Sequence, residues 1–355
     1  MSVLKTMKAV VFNGPFDVSV EERPLPQIRD PRDVIIKVNM TALCGSSELH
    51  LFRGVEPTEP NFIMGHEFTG TVVELGSAVK SVKIGDKVVS PFTASCGECY
   101  YCENGGSARC ANSQALGSPN LDGAQAEYVR VPFADGTVVK APAGIHDQAL
   151  ILMADIFPTG YFGVKSGVEM MPNLDVHDST IVVIGCGPVG LCAVVAAAAL
   201  KPKHLFAVDS VPSRLEQAAN LGAEPLNFMD DKPGMQDRIK SATDSRGADI
   251  VVEVVGLSPA LRTAFDLVRS FGAISSIGVH NAEIPWSGND GYNKNVRLQM
   301  GRCPVRSIFE EAMNVLKGEQ DSLGFLFDNI MPLSDAVRGY DLFNQSKVQK
   351  VVFKI

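Results

Sequence analysis

Four cysteines fall in one stretch, CGECYYCENGGSARC, of a 355-residue chain that holds eight in all. Cys96, Cys99, Cys102 and Cys110 are separated by gaps of two, two and seven residues, which suits a tetrahedral thiolate cage around Zn²⁺, closed to any substrate. Disulfides and an iron–sulfur cluster are the competing uses of such a run. A nucleic-acid-binding zinc ribbon also carries four cysteines. This stretch has a single Arg and no Lys, however, and the chain carries a net charge of −8 with a pI near 5.3, so there is no basic surface to displace phosphate counterions.

A second constellation is GCGPVG, residues 185–190, which follows a β-branched run and opens an apolar helix-like segment. Gly185 permits a tight turn, Gly187 lets backbone N–H groups approach a pyrophosphate, and Gly190 lets helix and strand pack closely; Pro188 and Val189 start the helix whose dipole faces the anion. Asp209, nineteen positions after Gly190, is placed to accept both ribose hydroxyls. Its charge favours NAD(H) over NADP(H), although Ser210 and Arg214 nearby can accommodate a 2′-phosphate. Cys186 and Cys192 fit as small buried hydrophobes.

Cys44, in TALCGSSELH, and His66, in MGHEFTG, are soft ligands beside glycines. Taken alone they read as a buried thiol and a surface imidazole. Likewise Asp155 alone reads as a helix N-cap, and Glu67 as a buried structural carboxylate.

The elements that must position these residues divide the chain. From Met7 to about Pro142, short β-type runs such as KAVVF, DVIIKV, GTVVEL and AEYVRV alternate with turn residues, so this part is mostly β. After Asp155, strand and helix patterns alternate (IVVIG, VGLCAVVAAAAL, HLFAVD, PSRLEQAANLGA, ADIVVEVVG, SPALRTAFDLVRSFG, AISSIGV); repeated βα units of this kind predict a doubly wound parallel sheet. The alternation ends near Asn295 with NVRLQMG, then a helix-like SIFEEAMNVLKG and a closing strand KVQKVVFKI. The expected division is residues 1–154, then 155–294, with 295–355 returning to the first domain. One window, Ile181 to Leu200, is apolar or small over bilayer length, but its glycines and Pro188 argue against a membrane span. The start, MSVLKTMKAVVF, has too short an apolar run for a secretory signal, so a cytoplasmic protein without membrane or nucleic-acid partners is expected.

In combination, the cysteine motif at Cys44, GHEFTGTVVELG from Gly65, the four-cysteine lobe, GCGPVG and Asp209 occur in an order that resembles the zinc-dependent medium-chain alcohol dehydrogenases over nearly the whole length. Within that family, ADIFPTGYFG from Ala154 is most similar to the formaldehyde dehydrogenase-like and threonine dehydrogenase-like branch. The resemblance implies an α/β protein with a mostly β, GroES-like catalytic domain and a Rossmann NAD-binding domain. It implies two zinc ions per subunit, one structural in the cysteine lobe and one catalytic on Cys44, His66 and Asp155, with Glu67 behind that metal as an occasional ligand. Hydride transfer between a small alcohol or aldehyde (or ketone) and NAD(H) follows, as does a homodimer or homotetramer. Thr159, Gly256 and Val279 resemble cofactor contacts.

One motif departs from the family. The histidine that usually stands five residues after the cysteine is His50, six after Cys44, and Ser47 and Glu48 flank the position of the usual aspartate. Ser46 keeps its offset and is expected to hydrogen-bond the substrate oxygen and pass a proton outward, with His50 as a further carrier. The shift motivates two alternatives: a biosynthetic NAD(P)H-dependent reductase with an altered relay, and a non-catalytic nucleotide-binding relative. Phe52, Phe92 and Trp286 fit either a hydrophobic substrate pocket or ordinary core packing, and His146, His177, His204 and His280 read as surface or packing residues.

Overall fold

The structure, a computed structural model, describes residues 6–355; the first five residues of the start MSVLKTMKAVVF lie outside the described residues. The chain folds as two compact units, Met1–Asp155 with Pro304–Ile355, and Ile156–Cys303.

The first unit is built on antiparallel strands. Thr6–Gly14 pairs with Asp17–Pro24 and with Phe62–Ile63. In the larger sheet Val34–Ala42 lies against Glu67–Leu75, which in turn pairs Lys87–Ser90. The last strand, Val352–Lys354, enters this same sheet against Met40–Ala42 and beside Ile330–Pro332. Alternation along Val34–Ala42 and Glu67–Leu75 supplies Val34, Ile36, Val38, Phe68 and Val72 to one apolar core, as half-buried antiparallel strands do. A second core gathers Phe12, Phe52, Phe62, Tyr340 and Phe353 from both ends of the chain.

The second unit is a six-stranded parallel sheet: β1 (Thr180–Ile184), β2 (His204–Asp209), β3 (Glu224–Asn227), β4 (Ala248–Glu253), β5 (Val268–Ser276) and β6 (Arg297–Met300), in spatial order β3-β2-β1-β4-β5-β6. β1 and β4 are buried at every position, as central parallel strands covered on both faces must be. The bilayer-length window resolves into β1, the glycine turn and the helix Pro188–Ala199, a helix that is apolar all round because it is buried. No helix among the described residues is long and apolar enough to cross a membrane.

Two details depart from the sequence reading. β6 pairs with Ala273–Ser276, so the parallel sheet extends past residue 294 and the change of unit comes after Cys303. The helical run SPALRTAFDLVRSFG stops at Leu267. Val268 already pairs with Ala248 across a register break, and Phe271 takes a left-handed φ of +59° that a helix does not contain.

Candidate active site

Ala42 stands opposite Glu67 in the antiparallel pair. That register puts Cys44, two residues past one strand, and His66, just before the other, at the same end of the sheet. Gly65 makes the turn possible: its φ is +104°, and a Cβ there would lie 2.5 Å from the backbone nitrogen of Gln125. Asp155 arrives from a third direction, after the helix Asp147–Leu152, with the preceding carbonyl of Ala154 accepting from the Phe92 N–H at 3.1 Å.

Ligand atoms of Cys44, His66, Glu67 and Asp155 lie within 4.8 Å of one another, and all four residues are buried. Oδ2 of Asp155 is 3.6 Å from Cys44 Sγ and 3.4 Å from His66 Nε2. A tetrahedral zinc with bonds of roughly 2.3 Å to sulfur and 2.0–2.2 Å to nitrogen and oxygen would separate those donors by about 3.6 and 3.4 Å. The donor set therefore fits zinc in both chemistry and size. Three such ligands with a fourth position open to a substrate oxygen is the arrangement catalytic zinc sites use.

Two buried charges support this cluster and were absent from the sequence-derived set. Glu48, 1% exposed, accepts from the Cys44 N–H at 2.7 Å through Oε2 and from the His66 N–H at 3.0 Å through Oε1, which is also 3.2 Å from His66 Nδ1. It thereby orients the ring whose Nε2 faces Asp155, the arrangement that fixes a histidine for metal binding. The additional residue in CGSSELH moves the carboxylate one position later, and the short helix Glu48–Phe52 returns it to the site. An acidic residue four after a ligand cysteine was the available signal.

The second is Lys350, 2% exposed. Its Nζ donates to both carboxylate oxygens of Glu67, at 2.9 and 2.7 Å, and to the Leu43 carbonyl at 2.9 Å. Burial, the largest influence, favours a neutral lysine, but the charge and hydrogen bond of Glu67 together with the charges of Cys44 and Asp155 hold the Lys350 pKa above its ordinary value. Burial pushes the Glu67 carboxyl upward while Lys350 pulls it down; with both oxygens engaged by Nζ, the ion pair leaves none of these atoms unsatisfied. No spacing rule links positions 67 and 350, so the sequence offered no signal.

Ser46 is exposed, with Oγ 3.4 Å from Cys44 Sγ. His50 lies in the same short helix, and its Nδ1 is buried without a hydrogen-bond partner among the described residues. Phe92 presents its ring edge-on to His66 at 6.0 Å. Phe52 packs against Tyr340 in the core, and Trp286 stacks on Phe265 at 4.6 Å, so these two are packing residues.

The four-cysteine lobe is separate and local. Sγ atoms of Cys99 and Cys102 are 3.6 Å apart and those of Cys110 and Cys96 3.4 Å, close to the roughly 3.8 Å edge of a thiolate tetrahedron with 2.3 Å zinc bonds. The backbone N–H groups of Cys96 and Asn112 point at the Cys110 sulfur, and the Ala111 N–H is the largest of the influences that bring the Cys99 thiol down to about 6. None of the eight cysteines is in a disulfide.

In the second unit, Gly185 has φ +95°, and a Cβ on Gly190 would fall 1.7 Å from the Gly185 carbonyl oxygen; only glycine fits either place. Gly187, by contrast, faces open space at the start of the helix Pro188–Ala199, a cradle that suits a phosphate group. Asp209, at the end of β2, is buried and accepts from the Cys186 N–H at 2.7 Å and from Ser210 and Val211 N–H at 2.7 and 2.9 Å. Arg214 approaches it only to 3.9 Å. Thr159 lies in the helix Ile156–Glu169, while Gly256 and Val279 follow β4 and β5.

Comparison with known proteins agrees with this anatomy. Residues 30–143 match the alcohol dehydrogenase GroES-like domain and residues 188–318 the zinc-binding dehydrogenase domain. The chain is similar to zinc-type alcohol dehydrogenase B of Aspergillus flavus, 61% identical over 354 residues covering 100% of this chain and 82% of that protein. It is also similar to the medium chain reductase/dehydrogenase ucsI of an Acremonium species, 55% identical over 287 residues, 81% of this chain and 98% of that one. Among solved structures, the alcohol dehydrogenase TADH from Thermus sp. ATN1 superposes with a TM-score of 0.91 at 34% identity, covering 98% of this chain and 99% of that chain.

Proposed function

This chain belongs to the zinc-dependent medium-chain alcohol dehydrogenase family, and from that premise we propose that Cys44, His66 and Asp155 hold the catalytic zinc of an oxidoreductase that works on small alcohols and the matching carbonyl compounds with NAD(H). The carrying observation is the convergence of one sulfur, one nitrogen and one oxygen, all buried, at the edge lengths of a zinc tetrahedron.

When bound, zinc supplies Lewis acidity toward a substrate oxygen, and NAD(H) accepts or donates the hydride. The residues do the remaining work. Cys44 and Asp155 each contribute one negative charge, so the ligand set keeps the electrostatics of a two-charge site. Glu48 holds His66 with Nε2 inward. Glu67, paired with Lys350, sets a negative charge behind the ligands and is placed to replace a departing one. Ser46 Oγ, beside Cys44 Sγ, accepts the proton of the substrate hydroxyl and passes it outward. His50 is the next carrier, and its buried Nδ1 marks it as the weaker part of the relay. Gly185, Gly187, Pro188, Val189 and Gly190 cradle the pyrophosphate, Asp209 takes the adenosine ribose, and Thr159, Arg214, Gly256 and Val279 line the remainder.

NAD(H) is favoured over NADP(H) because Asp209 puts a buried carboxylate at the end of β2, beside the glycine turn, where a carboxylate accepts ribose hydroxyls and repels a 2′-phosphate. The structural zinc is assigned to Cys96, Cys99, Cys102 and Cys110. A small alcohol or aldehyde substrate, a homodimer or homotetramer and a cytoplasmic setting complete the reading. A reductive physiological direction is the second reading, favoured by the reductase/dehydrogenase name of the 55% identical relative.

The test is elemental analysis of purified protein. Two zincs per subunit, falling to one in Cys44→Ala, support the assignment; one zinc in both proteins sinks the catalytic site.

A further inference from the structure

Glu253, the last residue of β4, is fully buried and has no role in the chemistry above. Its Oε1 accepts from the backbone N–H groups of Val255 and Gly256 at 2.7 and 2.8 Å. Its Oε2 accepts from the Ser276 hydroxyl at 2.8 Å and lies 3.0 Å from Nε2 of His280. One carboxylate thus ties the turn that follows β4 to the turn that follows β5. The two turns also touch backbone to backbone. A Cβ on Gly278 would lie 2.2 Å from the Gly256 nitrogen, and one on Gly256, at φ +81°, would lie 2.5 Å from the Val279 carbonyl oxygen.

The His280 side chain is 6% exposed, and its other ring nitrogen, Nδ1, is buried with no hydrogen-bond partner among the described residues. That nitrogen is closed off from solvent, so the polar contact the ring makes is the one through Nε2 to Glu253.

The sheet says where this pair sits relative to the cofactor. Strand order reverses between β1 and β4, and ligands of such sheets lie across the carboxyl ends of the strands at that point. The glycine turn after β1 and Asp209 at the end of β2 take the pyrophosphate and adenosine side, so the other half of a dinucleotide runs over the ends of β4 and β5. Val255 and Val279 stand exposed there, at 43% and 52%, and offer apolar faces to a flat ring.

We propose that His280 is a positioning residue for the nicotinamide half of NAD(H): through Glu253 it locks the Gly256 and Val279 turns into one platform. This rests on the NAD(H) reading, and the test separates the two. Binding of NADH and of ADP-ribose, which lacks the nicotinamide, is measured by calorimetry on the purified protein and on His280→Ala, His280→Leu and His280→Gln. Failure of the wild type to bind either ligand would remove the dinucleotide reading itself.

Given wild-type binding, Ala and Leu are expected to weaken NADH about tenfold, the effect of losing the hydrogen bond to the Glu253 carboxylate that holds the two turns together, while ADP-ribose stays within about twofold. Gln keeps a donor for Glu253 and is expected to recover NADH binding to within about threefold. Unchanged NADH affinity in the Ala and Leu variants overturns the proposal. So does an equal loss of both ligands, or a loss of ADP-ribose binding through misfolding, because His280 would then be a packing residue only.

Discussion

The two candidate metal centres of this chain are built on opposite plans. The cysteine lobe takes its four donors from residues 96–110, all sulfur, with backbone N–H groups turned toward them. The other site draws sulfur, nitrogen and oxygen from Cys44, His66 and Asp155, positions brought together by strand register and the end of a helix. A closed, uniform cage needs only a loop to make it. An open site with a vacant coordination position must be held by the surrounding fold, and Glu48 and Lys350 are the groups that hold it. The contrast teaches that the lobe should fail locally, by losing its metal and its loop, whereas the open site should fail through charges buried elsewhere in the unit.

The largest effect separates the centres outright. Cys44→Ala is expected to cut kcat/KM for any alcohol substrate by about 10³ or more, since a metal's polarisation of the reacting oxygen is worth several kcal/mol. Cys102→Ala should instead lower the thermal midpoint while leaving kcat within about threefold, because a structural zinc contributes folding energy rather than chemistry. Steady-state kinetics and calorimetry on the two variants make the measurement; equal activity losses would erase the distinction.

Next in size is Lys350→Ala. Removing Lys350 leaves Glu67, whose carboxyl is already pushed by burial up to about 7, with no cation beside it, so it must either stay charged and uncompensated or take up a proton, at a cost of up to about 3–5 kcal/mol in stability. Denaturant unfolding measures it, and a loss below about 1 kcal/mol would mean that the pair is hydrated and that its burial does not matter.

These differences also explain what was legible in the residues. Cys96 to Cys110 announce themselves because the whole site is local, and the glycines of 185–190 because backbone sterics at Gly185 and Gly190 admit nothing larger. The alternation of β1, β2, β4 and the later half of β5 with helices was readable because buried parallel strands are continuously apolar, whereas β3, EPLN, is neither buried nor apolar and went unread. Cys44, His66 and Asp155 were legible only through resemblance to a family, since nothing in their spacing foretells that Ala42 will face Glu67. Glu48 was obscured by the shifted motif. Lys350 and the Glu253–His280 tether were invisible, because a buried charge looks like a surface one until its partner is known. The end of β5's preceding helix at Leu267 and the late sixth strand were missed for a related reason: pairing with Ala248 and with Ala273–Ser276 decided them, and local propensity did not.

Ser46→Ala tests whether the open site's chemistry extends past its ligands. Loss of a positioned proton acceptor typically costs about 10²-fold or more, so kcat should fall by about 10² while both zincs remain bound. An unchanged turnover would route the proton elsewhere and leave His50 without a donor.

The smallest expected effect is the sharpest for the comparison. Glu48→Gln keeps the shape of the side chain and one carbonyl oxygen, so either the Cys44 or the His66 N–H retains an acceptor, and the fold should persist. What disappears is the charge 3.2 Å from His66 Nδ1, which makes the ring a better donor to metal through its far nitrogen. Carboxylates in that position are worth roughly 10–100-fold in metal affinity, and the retained carbonyl puts the expectation near the low end, about tenfold. In a chelator competition, the wild type should lose its two zincs at well-separated chelator concentrations. Glu48→Gln should shift only the one that Cys44→Ala abolishes and leave the lobe's release unmoved, because no residue of 96–110 touches Glu48 among the contacts that fix it. If both releases shift together, the two centres are coupled through the fold of the unit, and the division between a self-sufficient cage and a supported open site does not hold.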